Sequence, residues 1–455
     1  MAKKYFMSTF FFKRLLASLT LFVFVFQPFA VFAFEVNKNA IAILVVKDKQ
    51  GEFLASGTGF VVKPEGTLIT NYHVLIDASS VDAIFSDGTV ANVKDVIHVD
   101  RTKDFAILKL SSGFYSTLEV GDSNSLKNFD YVGALGYLTD EVSTSQKTKG
   151  KLRQNHGMVL GVHPRANPNF KVIYSTASLE AGFSGGPLID KNNKIVGISS
   201  TEGRALNLAL PINEVKAFLN EKNTISLTEF LKRDGIFPQS FYYRGNFALY
   251  GEGGAEKAVE FFNKTLDQLP DFNLAQYDLA VAHRNQGNVD QAILEYEKAL
   301  KINPNFPEAL SNLGGQYFRT GKVDKAIDTL KRAVQSFPNF LQANTNLGAV
   351  LNKKKKYAEA IPYLKKAVQL DPEFGMAHYN LGNAYFGVKE LKKARASLEK
   401  ASNLGIEFVS LHWKLYEIHK ESGDIERSRK ELNFILEIDP ENEEAKQKLM
   451  QEKGA

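Results

Sequence analysis

Residues Glu180–Asp190 read EAGFSGGPLID. A serine stands between an aromatic residue and two glycines, and the chain then runs straight into an apolar strand. Paired glycines weaken a strand, because they lose the most entropy on folding and bring no side chain to pack. Ser184 therefore occupies a place where a tight backbone matters more than stability. Gly182, two residues earlier, can turn its N–H toward a developing negative charge with no Cβ in the way. The Ser184 N–H is a second such donor. A serine nucleophile needs these donors for an oxyanion, a base for its proton, and a group to orient that base.

Base and orienter are expected upstream. TLITNYHVLIDAS (Thr67–Ser79) places His73 just after an apolar strand, and DRTKDFAILKL (Asp100–Leu110) places Asp104 at the entry to another. Asp100 is a rival orienter. The acid-apolar-Ala-apolar pattern starts at Asp104 and favours it. The order His, Asp, Ser is that of the chymotrypsin type and differs from those of subtilisin and the α/β-hydrolases. Blander readings remain for each residue: a buried structural histidine, and a turn serine in a decayed enzyme.

SGTGFVV, TNYHVL, DFAILKL and FSGGPL, in that order and at these spacings, resemble a trypsin-like serine protease of the HtrA/Deg kind over residues 36–222. The resemblance implies an all-β, chymotrypsin-like double barrel with the triad in the cleft between six-stranded halves. It implies His73 as general base, Asp104 as its orienter, Ser184 as nucleophile, and Gly182 and Ser184 as the oxyanion hole. It places Ser178 at the floor of the specificity pocket. An uncharged floor argues against cleavage after Arg or Lys. Leu208, Ala209 and Leu210 are expected along the walls, which favours small or medium apolar residues. Gly185 and Gly186 are expected to stay slim for an approaching substrate. Phe183 departs from the family, which carries aspartate or asparagine there. With no carboxylate at that position, activation by a new N-terminal amine is not expected. The family often adds a PDZ domain, and residues 223–238 leave no room for one.

The strand texture itself is read from the residues. Between Val36 and Ile212, brief β-branched and aromatic runs such as AIAILVV, TLITN and KIVGISS alternate with turn formers such as KPEG, SDG and KNN. PINEVKAFLNEK (Pro211–Lys222) predicts a closing helix. Beyond Gln239 the period changes. Prolines 270, 304, 338 and 372 are 34 residues apart, and alanines 258, 292, 326, 360 and 394 keep the same step. Cuts at 239, 273, 307, 341, 375 and 409 give six units, of which PEALSNLGGQYFRTGKVDKAIDTLKRAVQSFPNF (Pro307–Phe340) is a good example. These units resemble the tetratricopeptide repeat, an all-α solenoid of helix pairs. Ile406 stands where proline is expected, Ser428 where alanine is, and Gly245-Asn246 mark a weak first unit. The segment 443–455 is expected to be a C-terminal capping helix. The resemblance implies a concave groove for a peptide or protein partner. Asp278, Asn312, Asn346 and Asn380 recur at one position of the first helices. An asparagine there can hold an extended backbone, or equally can bond a neighbouring helix. Trp413 reads as a core anchor and Lys353–Lys356 as a solvated corner.

The 455 residues contain no cysteine, which excludes disulfides and thiolate metal sites. The scattered histidines 283, 378, 412 and 419 show no metal spacing, so neither metal nor cofactor is expected. Lys3, Lys4, Lys13 and Arg14 carry four of the five net positive charges, and no acid precedes Glu35. The remainder is close to neutral, and nucleic acid is not an expected partner. The basic start, the apolar run LLASLTLFVFVF (Leu15–Phe26), Pro28 and the ending VFA (Val31–Ala33) read as a signal peptide over 1–33. An uncleaved anchor, the only route to a membrane association, is the alternative. The predicted organisation is thus a signal peptide, a protease domain at 34–222, a linker at 223–238, six repeats at 239–442 and the cap. It describes an exported serine endopeptidase, periplasmic or extracellular, acting on protein or peptide substrates. The alternative is a catalytically inactive protease-fold scaffold serving as an adaptor, which Phe183 favours.

Overall fold

A computed structural model of the chain describes residues 34–138, 151–166, 169–200, 207–251 and 253–453. The expected signal peptide lies outside the described residues. Two closed six-stranded β-barrels come first, followed by a helical solenoid. The first barrel contains β1 (Ile41–Lys47), β2 (Phe53–Lys63), β3 (Thr67–Thr70), β4 (Ser80–Phe85), β5 (Val90–Asp100) and β6 (Phe105–Leu110). Its order is β5-β4-β1-β2-β3-β6, closed by the pairing of β5 with β6. The unbroken apolar run of β1 is buried on both faces from Ile41 to Val46, as such a run requires. In β5 Ala91 and Val93 reach the core between the exposed Val90, Asn92 and Lys94, the pattern of a strand with one wet face, and Val96 is buried beyond an irregularity in the pairing with β6.

The second barrel is β7 (Tyr131–Tyr137), β8 (Leu152–Ala166), β9 (Asn169–Ser175), β10 (Pro187–Asp190), β11 (Ile195–Ser200) and β12 (Asn207–Pro211), closed by β7 against β10. Its core gathers Val132, Ala134, Val159, Ile173, Leu188 and Val196. Each buried valine, leucine or isoleucine among them stabilises by about 1.5–3 kcal/mol. The helix expected over Pro211–Lys222 shrinks to Asn213–Lys216. Beyond it the backbone winds tighter, with turn bonds from Phe218, Leu219 and Glu221 to Val215, Lys216 and Phe218, and Lys63 Nζ holds the end through the Leu219 carbonyl at 2.6 Å and Asn220 Oδ1 at 3.0 Å.

The chain between the barrels and the solenoid is packed down rather than free. β13 (Ile225–Ser226) pairs with β5, and Ser226 then caps the helix Leu227–Asp234 by accepting from Glu229 N at 3.3 Å. Six helix pairs follow. Their first helices begin at Pro238, Asn273, Pro307, Leu341, Gly375 and Val409, and Glu443–Lys453 forms the last helix. Ala258, Ala292, Ala326, Ala360 and Ala394 are all fully buried. Gly314, Gly348 and Gly382 recur where a Cβ would meet Leu330, Leu364 and Leu398 within 2.6, 2.4 and 2.6 Å. These small residues set how closely paired helices approach. Ser428 replaces alanine because it has a different neighbour: its Oγ bonds Glu452 Oε2 of the last helix at 3.0 Å. Ile406 takes the proline position and packs on Gly375.

The solenoid also grips the second barrel. Tyr174 Oη donates to Glu308 Oε1 at 2.9 Å, and Asn339 Nδ2 donates to the Leu160 carbonyl at 2.7 Å. The His163 ring packs on Phe337 at 4.0 Å, and its burial holds its pKa below the ordinary value. Among the described residues no helix is long and apolar enough to cross a membrane.

Candidate active site

His73 lies in the 3₁₀ turn Tyr72–Leu75 directly after β3, and Asp104 lies immediately before β6. Thr70 and Ala106 are register partners on the adjoining strands, so strand pairing alone brings the two loops together. Asp104 binds the histidine twice. Its Oδ2 lies 2.7 Å from His73 Nδ1, and its Oδ1 accepts from the His73 backbone N–H at 2.9 Å. A carboxylate at Nδ1 favours the tautomer with the proton there, leaving Nε2 as an acceptor. Ser200 Oγ adds a bond to Oδ2 at 3.4 Å, and Asn71 Nδ2 donates to the Asp104 carbonyl at 2.8 Å. Asp104 has φ +62°, an uncommon conformation for a non-glycine residue that tertiary bonds must hold. Both side chains are largely shielded, with 11% of His73 and 5% of Asp104 exposed. Asp100 is the lesser candidate, because its Oδ1 is occupied by the N–H groups of Thr102 and Lys103 at 3.0 and 2.9 Å.

Ser184 comes from the second barrel, in the loop before β10, and is buried. The first barrel holds that loop. Thr58 N donates to the Ser184 carbonyl at 2.8 Å, and Thr58 Oγ1 donates to the Gly182 carbonyl at 2.7 Å. A Cβ built on Gly57 would lie 2.7 Å from Val74 and 3.3 Å from the Ser184 carbonyl, so the His73 and Ser184 loops flank one point. Gly182 has φ +99°, a conformation that glycine adopts freely and that leaves its N–H free to turn. Gly185 and Gly186 are narrow for a reason other than substrate approach. A Cβ on Gly185 would lie 2.2 Å from both the Thr58 carbonyl and Thr70 Oγ1, and one on Gly186 would lie 2.0 Å from the Leu135 carbonyl. The first barrel closes on Gly185, and Gly186 packs against β7 of its own barrel.

Phe183 is fully buried in the second-barrel core and packs against Gly136. Its side chain anchors the loop from the core side. The pocket expectations fare less well. Ser178 is exposed, with its carbonyl held by Asn155 Nδ2 at 2.9 Å. Ala209 is buried and packs with Phe183 in the barrel core. Leu208 is buried, in register with Tyr174.

In the solenoid, Asn312, Asn346 and Asn380 line one cavity of about 430 Å³ with Tyr250, Arg284, Phe340 and Phe374. Each amide also bonds within the solenoid: Asn312 to Tyr277 Oη, Asn346 to Ser311 Oγ, and Asn380 to the Met376 carbonyl. Asp278 departs from this row. It is fully buried and accepts from Tyr242 Oη at 2.9 Å, because the first repeat covers it. Trp413 packs edge-on to Tyr416 beside the last helix.

No role for Thr58, Asn71 or Ser200 is legible in the sequence alone. Thr58 and Asn71 stand inside the quoted motifs, but their roles depend on bonds to residues 124 and 33 positions away.

Residues 57–198 match the family model of the trypsin-like peptidase domain. Residues 282–321, 312–373 and 351–404 match tetratricopeptide-repeat models. The chain is 31% identical over 170 residues to a mitochondrial serine protease HTRA2 of Drosophila virilis, covering 36% of this chain and 39% of that one. It is 29% identical over 171 residues to a serine protease HTRA1 of Xenopus tropicalis, covering 37% and 36%. The chain thus spans under two fifths of the length of these relatives. A solved HtrA-type protease with tripeptide aligns at 20% identity and a TM-score of 0.34, covering 43% of this chain and 61% of that one.

Proposed function

We propose that this chain, which carries a trypsin-like peptidase domain similar to HtrA proteases ahead of tetratricopeptide repeats, is an exported serine endopeptidase. The observation that carries the reading is the double hydrogen bond of Asp104 to His73, next to a Ser184 loop stapled by Thr58. In this reading His73 Nε2 takes the Ser184 Oγ proton as Oγ attacks the scissile carbonyl. Asp104 orients the imidazole and stabilises the imidazolium that forms. The N–H groups of Gly182 and Ser184 receive the oxyanion. His73 then gives the proton to the leaving amine, and water hydrolyses the acyl-enzyme by the same path in reverse roles.

The repeat domain is the recruiting part of the molecule, through the cavity lined by Asn312, Asn346 and Asn380. Holding a substrate beside the cleft raises its local concentration without altering the chemistry. Export through the N-terminal segment is the proposed route.

The test is hydrolysis of an unfolded protein by the purified chain beginning at Phe34, with and without a sulfonyl fluoride. Cleavage that the inhibitor stops is the expected result. Absence of cleavage above the blank would favour the inactive scaffold, whose function would then rest in the repeats.

A further inference from the structure

The first helix of the repeat domain reaches the catalytic histidine. Tyr243, on the helix Pro238–Tyr250, lies face to face with His73, with ring centroids 5.8 Å apart and planes inclined by 28°. Phe247, one turn further on, meets the same ring edge-on at 6.1 Å. Tyr243 is only 2% exposed, and its hydroxyl donates to the Arg101 carbonyl at 3.2 Å, in the turn that leads to Asp104.

This contact belongs to a larger clamp. Tyr72, the residue before His73, donates its buried hydroxyl to Asp234 Oδ2 at 2.5 Å and lies 2.7 Å from Ser240 Oγ. Burial and the adjacent Asp234 push this hydroxyl far above its ordinary pKa, which keeps it protonated as a donor. Arg101 Nε donates to Asp234 Oδ1 at 2.7 Å, and its guanidinium lies 4.0 Å from the centre of the Phe237 ring. Arg244 binds Asp77, at the far end of the His73 loop, at 2.7 Å. Residues 234–247 therefore tie down both the loop bearing the base and the loop bearing its orienter.

We propose that Tyr243 is a positioning residue for His73, so that the repeat domain completes the catalytic centre instead of only recruiting substrate to it. The proposal rests on the peptidase reading above. The bond to Asp104 leaves the His73 ring room to rock about χ2, because that torsion has broad wells. A flat ring packed against its face removes that freedom and aims Nε2 at the serine. Aim matters, since a displacement of about 1 Å at a reacting group costs about 10²-fold in rate.

The test compares Tyr243→Phe, Tyr243→Leu and Tyr243→Ala in the full exported chain. The readouts are kcat and KM on a fluorogenic peptide, and the low-field proton resonance of the His73–Asp104 bond. Tyr243→Phe keeps the ring and is expected to keep kcat within about twofold. Tyr243→Ala and Tyr243→Leu are expected to lose about 10²-fold in kcat, with KM nearly unchanged and the resonance broadened or lost. Leucine fills most of the volume, so that variant decides the matter where alanine prevents folding. Wild-type kcat in Tyr243→Leu, or equal losses in Tyr243→Phe and Tyr243→Leu, would overturn the proposal. An inactive wild type would defeat the peptidase reading instead, and the resonance would still report on the positioning role.

Discussion

Ser184→Ala is expected to lower kcat by about 10⁶-fold, and His73→Ala by about as much. The two changes together should cost little more than either alone. In the proposed mechanism nucleophile and base act as one device: without His73 Nε2 as base the hydroxyl keeps its proton, and without the hydroxyl the base has nothing to activate. What survives is the contribution of binding and of the Gly182 and Ser184 N–H donors. Asp104→Asn should cost about 10⁴-fold. An amide can no longer accept from both the Nδ1–H and the backbone N–H that the two carboxylate oxygens now receive, and the wrong tautomer follows. Steady-state rates on one peptide substrate measure the whole series. Additive losses from Ser184→Ala and His73→Ala would contradict a coupled pair.

Gly185→Ala is expected to destabilise the barrel pair by about 3 kcal/mol, through a strained backbone and an overpacked seam together. Gly185 has φ +84°, where a side chain is disfavoured whatever the space. The added methyl would also stand 2.2 Å from a buried carbonyl and a buried hydroxyl. Neither can swing away, since Thr70 Oγ1 donates to that same Thr58 carbonyl at 2.7 Å. Urea unfolding of the full chain, followed by far-UV circular dichroism, reads the loss. A midpoint equal to that of wild type would mean that the barrels meet elsewhere.

The parts of this molecule that were legible in its sequence are those fixed by short-range rules. The step of 34 residues from Pro270 to Pro372 marks where helices end, and the buried alanines mark where they pair. His73 and Asp104 could be found because each stands at one end of an apolar strand, and strand pairing joins those ends. Other features depended on partners far along the chain. Asp278 shares its position with Asn312, yet burial under Tyr242 of the preceding repeat removes it from the groove. Ala209 reads as a wall residue in the sequence, and its packing with Phe183 in the barrel core, beside the equally buried Leu208 and Leu210, is not visible there. The roles of Gly185 and Tyr243 come from one barrel meeting another, and from a helix 170 residues beyond His73 folding back upon it. No local pattern encodes either approach.

The most direct test of the central claim is to treat the chain from Phe34 onward with a fluorophosphonate and locate the adduct by peptide mass mapping. One adduct on the peptide containing Ser184, lost in His73→Ala, is the predicted result. A chain left unmodified at Ser184, or modified there equally well without His73, would contradict a serine activated by that histidine.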